Sequence, residues 1–425
     1  MIRPFWSRLI GESITFWNCL LFSMEVPNGA EMSPATPGDG LGKRIAAIRG
    51  ARRMTQADLA HASNVSLSMI RKLEQGVRDP SDGVLESIAA ALGVEPSRLL
   101  GNTTRFDGRV HDAIPLLRTV IASYDLPEDG QVRPAHQLQA AVSEAVQRRL
   151  NSQYVRLSAT LPDLVSELIR GLHTAVDPAR SGIAALLVAT YRSADAIAYK
   201  YGYHDLSARL IELMRSASGI ADDPLLVAST AYVRTEIFFA AQAYSAGLRA
   251  IESEIDRLPA TQQRQRLGVL GSLHMRAAVV AARARNPESA MEHLAEARHF
   301  GDLIPEGIYY GTAFGPSSVR IHEVSVAVSL GDRYLRSALE IGDTWAPPPE
   351  IPAERRSGYY VELARAQLWA GHKEASFESL RMARRIAPQH TREHQWVQED
   401  VETLLRLYRM SNESLIGFAE WVGVA

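Results

Sequence analysis

The residues from Thr55 to Gly76 constrain the fold of this chain most, because they contain the start and stop signals of two short helices. Thr55 is a favourable N-cap, and Asp58 lies in the first turn of the first helix, where a carboxylate complements the helix dipole. Asn64 occupies the connection, and asparagine tolerates a left-handed backbone better than most residues. Ser66 can cap the second helix, which stops before Gly76. The sequence therefore predicts two short helices joined by a tight turn.

The second predicted helix, residues 66–75, has an apolar face and a polar face. Ile70 and Leu73 are three residues apart and are expected to face the core. The other face carries Leu67, Ser68, Arg71, Lys72 and Gln75. Two short helices at a fixed angle, of which the second can enter the DNA major groove, form a helix-turn-helix. In this geometry a serine hydroxyl can bond a base edge or a phosphate, and a leucine can contact a thymine methyl group.

Positive charge is concentrated in this segment, although the whole chain of 425 residues has a formal net charge of −2. Between residues 43 and 78 the only acidic residues are Asp58 and Glu74. The basic residues of the same stretch are Lys43, Arg44, Arg49, Arg52, Arg53, Arg71, Lys72 and Arg78. Such a concentration is typical of a surface that binds phosphates. A helical bundle with a merely solvated basic face is the alternative, and the caps, turn and helix spacing favour DNA binding over it.

Residues 41–101 resemble the xenobiotic-response-element family of regulators, which are relatives of the lambdoid phage repressors. The closing sequence LGVEPSRLL, residues 92–100, is typical of the last helix pair of that family. The resemblance implies a five-helix domain with helices at Leu41–Gly50, Gln56–Ala62, Ser66–Gln75, Gly83–Leu92 and Pro96–Leu100. It also implies a partner, double-stranded DNA, which a homodimer would bind at a pseudo-palindromic operator.

The same resemblance assigns roles to individual positions. The position of Gln56 holds a phosphate at a helix N-terminus, and an ion pair between Arg49 and Glu74 holds helices together. The positions expected to face base edges are Leu67, Ser68 and Lys72. Those expected near the DNA backbone are Ser66 and Gln75, and Arg71 and Arg78 are expected to strengthen binding to every sequence. Asn64 departs from the glycine that is usual in the turn.

The length of the chain predicts two or three domains, and its composition predicts a helical globular protein. Hydrophobic residues make up 46% and charged residues 22% of the chain, which is enough to form a core. A single cysteine, Cys19, excludes an internal disulfide framework and a multi-cysteine metal site. We expect a leader at 1–40, the DNA-binding domain at 41–101, a connecting helix and linker at 102–134, and a repeat domain at 135–425. The expected location is the cytoplasm, in association with the nucleoid.

The first forty residues contain a short apolar run at 14–22, with Arg3 and Arg8 before it and Glu12 interrupting the basic region. The run is too short to span a bilayer. We expect the natural start to be Met24 or Met32, with a disordered tail as the second interpretation and export as the third.

Helical segments separated by short turns fill the region after residue 135, which indicates a solenoid of helical hairpins. The segment 359–388 fits the tetratricopeptide pattern best. Its matching residues are Tyr360, Leu363, Ala364, Gly371, Ser376, Leu380, Ala383 and Pro388. Ala290, Leu294 and Ala297 repeat the second-helix pattern in a weaker unit. The arrangement resembles a subgroup of actinobacterial regulators over nearly all of residues 41–410, with a tetratricopeptide-like domain after the DNA-binding domain.

A curved helical array offers a groove for a peptide, a small molecule or a partner protein. The candidate lining residues are Tyr199, Tyr203, Tyr310 and Phe314, from the tyrosine cluster at 199–203 and the loop at 309–316. The alternative is that these aromatic residues pack between helices and that the loop only links two of them.

The sequence contains no pattern that indicates catalysis. It has no GxxxxGK[ST] phosphate loop, no HExxH metal pair and no GxSxG nucleophile motif. The pairs His322–Glu323 and His390–His394 have spacings that could bind a metal, but surface or helix-capping roles are favoured. We therefore expect neither an enzyme nor a cofactor or metal, and no membrane partner. The alternative to a regulator is an interaction scaffold tethered by its basic domain, and a DNA-targeted enzyme is the third interpretation.

Overall fold

The computed structural model of the protein describes residues 41–52, 54–77, 80, 82–92, 94, 99, 108–258, 263–408 and 412–424. The predictions for the leader, for its start at Met24 or Met32, and for a role of Arg78 lie outside these residues. So does the predicted fifth helix of the first domain, apart from Leu99, which is fully buried. Within the described residues the protein is all-α, apart from one short β-hairpin.

Four helices form the N-terminal part of the described chain: α1 Leu41–Ala51, α2 Gln56–Ser63, α3 Leu67–Glu74 and α4 Asp82–Ala91. Each end agrees with the predicted bounds to within one residue. These helices enclose a core of their own. Its buried side chains are Ile45, Leu59, Ala60, Ile70, Leu73, Leu85, Ile88, Ala89, Leu92 and Leu99. The predicted burial of Ile70 and Leu73 is confirmed, with exposures of 0% and 2%.

Seventeen further helices follow in the described residues. A β-hairpin separates the first ten of them from the last seven. Those before it are α5 Gly108–Ala122, α6 Ala135–Leu150, α7 Tyr154–Ser158, α8 Leu161–Thr174, α9 Ala179–Lys200, α10 His204–Ala221, α11 Pro224–Ala240, α12 Tyr244–Arg257, α13 Arg264–Arg283 and α14 Pro287–Leu303. Those after it are α15 Pro316–Leu330, α16 Leu335–Thr344, α17 Ala353–Trp369, α18 Lys373–Ile386, α19 Pro388–Glu393, α20 Gln395–Leu407 and α21 Glu413–Val422, with a 3-10 turn at Asp332–Tyr334.

One type of turn recurs between consecutive helices of this array. Each such turn has three residues, and its central residue has a positive φ. The central residues are Ser152, Gly202, Gln242, Arg285 and Gly371. In each case the N–H of the following residue donates to a carbonyl five positions earlier, over 2.8 to 3.0 Å. This is the hydrogen bond of a Schellman cap, and it reverses the chain so that the next helix packs against the last.

The tetratricopeptide-like unit predicted at 359–388 is the hairpin of α17 and α18. Its small residues Ala364, Ser376 and Ala383 are fully buried where the two helices meet. Gly371 has a φ of +83° in the turn between them. In the weaker unit, Ala290, Leu294 and Ala297 are buried on α14. The predicted helical-repeat architecture is therefore confirmed.

Residues 307–314 form a β-hairpin, where the sequence predicted only a loop or a link between helices. Strand β1 is Gly307–Tyr309 and strand β2 is Thr312–Phe314, paired antiparallel with Gly307 opposite Phe314. The turn residues Tyr310 and Gly311 have φ of 47° and 78°, as a two-residue hairpin turn of type I′ requires. Three-residue strands are too short to show an alternating pattern, which is why the prediction was wrong.

None of the helices that the structure describes has both the length and the apolar character needed to cross a membrane.

Candidate nucleic-acid interface

Helix α2 begins with a reciprocal cap. The Thr55 hydroxyl accepts a hydrogen bond from the Asp58 backbone N–H at 3.1 Å, and the Thr55 N–H donates to the Asp58 carboxylate at 2.8 Å. The two bonds satisfy donors that a helix start otherwise leaves free. They also hold the pKa of the exposed Asp58 carboxyl below its usual value, chiefly through the Thr55 backbone bond. The N-cap predicted from the sequence is present.

Asn64 makes the turn between α2 and α3, with a left-handed backbone at φ 54° and ψ 33°. The N–H of Val65 donates back to the carbonyl of Ala60 at 3.1 Å. Ser66 then caps α3 by accepting a hydrogen bond from the N–H of Met69 at 3.3 Å. At the other end, Gly76 has a φ of 71° immediately after the helix. These contacts fix where α3 begins and ends.

Helix α3 turns one face to the core and the other to solvent. The residues of the polar face and its flanks that are exposed are Ser66, Ser68, Arg71, Lys72 and Gln75. Leu67 differs from them because it is half-buried and packs against the core of α1 to α4. Only part of its side chain is therefore free to meet a ligand.

A hydrogen-bonded cluster connects α1, α2 and the C-terminal end of α3. Arg49 donates through Nε to Glu74 Oε1 at 2.7 Å and through a terminal nitrogen to Oε2 at 3.0 Å. Gln56 donates its amide N–H to Glu74 Oε2 at 2.8 Å. Arg49 also reaches the carbonyl of Met54 at 2.8 Å. The structure thus brings the predicted pair Arg49 and Glu74 together and adds Gln56, whose contact with Glu74 the sequence did not indicate.

Glu74 is stabilised as a carboxylate within this cluster. Burial would raise its pKa, but the hydrogen bonds from Arg49 and Gln56 and the charge of Arg49 lower it overall. The hydrogen bond to Glu74 likewise raises the pKa of Arg49. The Glu74 side chain is 7% exposed. The pair therefore acts as an internal brace of the domain and leaves the solvent face of α3 to the other polar residues.

A cavity of about 860 Å³ lies inside the helical array, between α6, α9, α11, α13, α15, α17, α20 and the β-hairpin. Of the predicted lining residues, Tyr199 faces this cavity. Tyr203 bonds His111 at 2.5 Å, and the Tyr310 hydroxyl donates to Asp223 at 2.9 Å. Phe314 is fully buried and packs against Gly271, where a Cβ would lie 2.0 Å from its ring. Three of the four aromatic residues thus have packing contacts elsewhere.

The paired histidines have structural contacts. His322 and His390 are buried, so the surface role favoured for them is wrong: His322 Nδ1 lies 2.9 Å from the carbonyl of Ser318, and His390 Nδ1 lies 2.7 Å from the Ser357 hydroxyl. The predicted capping role is confirmed at His394, whose ring nitrogen accepts from the N–H of Trp396 at 3.2 Å. Burial lowers the pKa of His390 to about 3. The described residues contain no group of three or more side chains arranged to hold a metal ion.

Comparison with known proteins singles out the same N-terminal segment. Residues 45–99 match the helix-turn-helix family. Over 64 residues the chain is 41% identical to the immunity repressor protein of Bacillus phage phi105. This alignment takes in 15% of the chain and 44% of the phage protein, so the chain spans less than half the length of that curated relative.

Two solved structures show a weaker likeness over more of the chain. The crystal structure of Bacillus thuringiensis PlcR in complex with the peptide PapR7 and DNA covers 63% of this chain and 95% of its own, at 17% identity and a TM-score of 0.27. A structure of a PrgX mutant covers 89% of this chain and 98% of its own, at 10% identity and a TM-score of 0.26. TM-scores of this size do not establish a shared fold. The comparisons therefore support a helix-turn-helix at residues 45–99.

Proposed function

We propose that this protein is a sequence-specific DNA-binding regulator of transcription. The observation that carries the proposal is the two-faced helix α3, which exposes Ser68, Arg71 and Lys72 while Ile70 and Leu73 anchor it in the core. An exposed polar helix of this size fits the major groove of DNA. The match of residues 45–99 to the helix-turn-helix family supports the same reading.

We assign roles to the individual side chains from the family resemblance, and their exposure on α3 supports the assignment. Ser68 and Lys72 would face base edges, and Leu67 would offer the exposed part of its side chain to a thymine methyl group. Arg71 would contact phosphate, while Ser66 and Gln75 would lie near the DNA backbone. Gln56 would bind a phosphate at the N-terminus of α2, where backbone N–H groups are free to join it. Its hydrogen bond to Glu74 would hold its side chain in place for that contact.

The domain arrangement extends the proposal. One α3 helix of eight residues reads only a few base pairs, so a homodimer on a pseudo-palindromic operator would supply the specificity that a regulator needs. Residues 135–425 would then form the part that mediates dimerisation or senses an effector, with residues 102–134 as the connection. The cavity inside the array supports a sensory role, because a ligand that binds one arrangement of the helices better than another shifts their populations.

Selection of DNA by the full-length protein tests the proposal. The protein is mixed with genomic fragments, and the retained fragments are sequenced at several salt concentrations. We expect one motif with two related halves to be enriched, and its enrichment to survive at salt concentrations that remove non-specific binding. Retention of all fragments alike, decreasing uniformly with salt, would contradict the proposal. A stoichiometric protein partner captured without any DNA preference would favour the scaffold instead.

A further inference from the structure

The cavity inside the helical array contains arginine side chains with no acidic partner. Among the described residues, Arg149, Arg192 and Arg355 line the cavity, and none of them forms an ion pair with a carboxylate. Arg149 and Arg192 are only 7% and 9% exposed. Buried guanidinium groups are normally paired, because removing an unpaired charge from water is costly. We call these three residues the arginine cluster.

Neutral groups hold the arginine cluster in place. Arg192 donates to the carbonyl of Tyr310 at 2.8 Å and to the hydroxyl of Thr312 at 2.7 Å. Arg149 donates to the carbonyl of Gly311 at 2.8 Å, from the same hairpin turn. The Nε of Arg149 is buried and has no hydrogen-bond partner. The hairpin turn thus fixes two guanidinium groups through neutral oxygen atoms and not through an ion pair with a carboxylate.

Three arginine side chains surround Tyr232. Arg355 donates to its hydroxyl at 3.3 Å, and the guanidinium carbons of Arg192 and Arg276 lie 5.7 Å and 4.9 Å from the centre of its ring. Burial raises the pKa of a tyrosine, yet Arg355, Arg276 and Arg192 together lower that of Tyr232 below its usual value. Burial, and then repulsion from Arg149, lowers the pKa of Arg192 to about 9. Cationic side chains therefore approach Tyr232 from several helices, and the Tyr232 hydroxyl and nearby carboxylates in turn raise the pKa of Arg355 against its burial.

The carboxylates that face the cavity offset the charge of its basic side chains only in part. The acidic residues of its lining are Asp195, Glu236, Glu354, Glu362 and Glu393. Glu354 pairs with Lys200 at 2.6 Å. Burial and the neighbouring Glu236 raise the pKa of Asp195 well above its usual value, and burial raises that of Glu362 to about 7. The raised pKa values favour the neutral form of Asp195 and Glu362, whereas Glu354, despite burial, has its pKa lowered to about 2 by the charges of Lys200 and Arg149.

We propose that the cavity binds a small organic anion whose phosphate or carboxylate group lies within the arginine cluster. The fork of N–H donors on arginine matches the oxygens of both groups. The volume of about 860 Å³ accommodates a small molecule, and Tyr199, Phe239 and Trp396 offer it aromatic walls. This inference rests on the proposed function, since it gives the chemical class of the effector that the array would sense.

Calorimetric titration of the full-length protein with pyrophosphate and with citrate, at physiological salt, tests this inference. We expect at least one of the two anions to bind, and Arg149→Gln to weaken its binding at least about tenfold, as the loss of a charged hydrogen bond does. Arg192→Lys, which keeps the charge but loses the fork, should also weaken it. Arg215→Gln, at an exposed arginine outside the cavity, is the matched control and should change nothing.

The outcomes separate this inference from the proposed function. Absence of binding by both anions, or equal affinity of the wild type and both cavity variants, overturns the anion site. Thermal unfolding of each variant shows whether it is folded, and Arg355→Gln replaces any variant that is not. Sequence-specific DNA binding without anion binding would refute only the cavity proposal. Anion binding that depends on Arg149, without sequence-specific DNA binding, would refute only the regulator.

Discussion

Gly42 in α1 lies directly against the backbone of Leu73 in α3: a Cβ atom on Gly42 would come 2.1 Å from the Leu73 carbonyl oxygen. The same atom would lie 2.7 Å from the carbonyl oxygen of Glu74. Backbone atoms cannot turn away as a flexible side chain can. The absence of a side chain at residue 42 therefore determines how closely α1 can pack against the end of α3.

Replacement of Gly42 should disturb the helix-turn-helix segment selectively. We expect Gly42→Ala to destabilise α1 to α3 by about 1–3 kcal/mol, because the added methyl group forces the helices apart. Amide hydrogen exchange of the full-length protein measures this change segment by segment. Gly50→Ala in the same helix is the matched control, since its Cβ would meet nothing within 4 Å. Equal exchange in the two variants would show that the close approach is not required.

Removal of the Glu74 carboxylate should loosen the same segment. Glu74→Gln leaves Arg49 without its charged partner, and we expect a loss of about 1–3 kcal/mol at neutral pH. Because the folded structure lowers the pKa of Glu74, its contribution is fully present above the usual pKa of glutamate. The contribution is lost as the pH falls through the lowered pKa. The difference between wild type and variant in hydrogen exchange should therefore shrink on acidification; a difference that grows would contradict this account.

Arg71 and Lys72 are adjacent on α3 and should respond differently to replacement. Arg71→Ala should weaken binding to every duplex and reduce the salt slope by about one, as the loss of one phosphate contact does. Lys72→Ala should instead relax the preference at one base position, by about 1–3 kcal/mol. Fluorescence anisotropy with matched duplexes at several salt concentrations measures both, and Arg215→Ala is the control. If both variants changed affinity and salt slope alike, Arg71 and Lys72 would not have the separate phosphate and base contacts that we assign to them.

A side chain at the left-handed Gly371, between α17 and α18, should cost stability. Gly371 has a φ of +83°, and a Cβ there would meet nothing within 4 Å, so any effect of Gly371→Ala comes from the backbone alone. We expect a loss of roughly 1 kcal/mol in thermal unfolding. Gly417→Ala within α21 also meets nothing and should be neutral or stabilising, because alanine favours helix. A stabilising Gly371→Ala would contradict the assigned turn.

Glu362 should make stability depend on pH. Burial raises its folded pKa to about 7, against the ordinary value of 4.5. The folded state therefore holds the proton more tightly, and this contribution to stability is fully present below the ordinary pKa and is lost as the pH rises through about 7. Glu362→Gln removes the titration.

Chemical unfolding at several pH values between 5 and 8 tests this prediction. The quantity compared is the free energy of unfolding of the wild type minus that of Glu362→Gln. Relative to the variant, the wild type should lose roughly 2 kcal/mol across that range. Glu340→Gln, at an exposed glutamate, is the control. A difference that does not depend on pH would show that Glu362 does not titrate there.

The sequence predicted the helices of the helix-turn-helix segment well because its signals are local. A cap at Thr55, a left-handed Asn64 and a stop at Gly76 each act within one or two turns of helix, so the helix ends could be placed to within one residue. The contacts of Gly42 with Leu73 and of Gln56 with Glu74 join residues far apart in the chain. No local pattern indicates such pairs.

The turns of the array and the lining of its cavity could not be predicted from the sequence, because they also depend on contacts between distant residues. The recurring turn is centred on a serine, two glycines, a glutamine and an arginine, so no residue type marks it. Arg149, Arg192 and Arg355 come from three separate helices, and each has the sequence context of an ordinary helical arginine. The sequence suggested Tyr310 and Phe314 as lining residues because they are aromatic. The structure instead uses the backbone carbonyls of Tyr310 and Gly311, which accept hydrogen bonds from Arg192 and Arg149.

The affinity of the full-length protein for its selected DNA, relative to a scrambled duplex of equal composition, tests the central claim most directly. At physiological salt we predict at least about a thousandfold preference for the selected duplex, as specific regulators show over non-specific DNA. The preference should fall in Lys72→Ala and persist in the distant control Arg215→Ala. Equal affinity for both duplexes, or a preference unaffected by Lys72→Ala, Leu67→Ala and Ser68→Ala alike, would contradict the assignment of α3 as the DNA-reading helix.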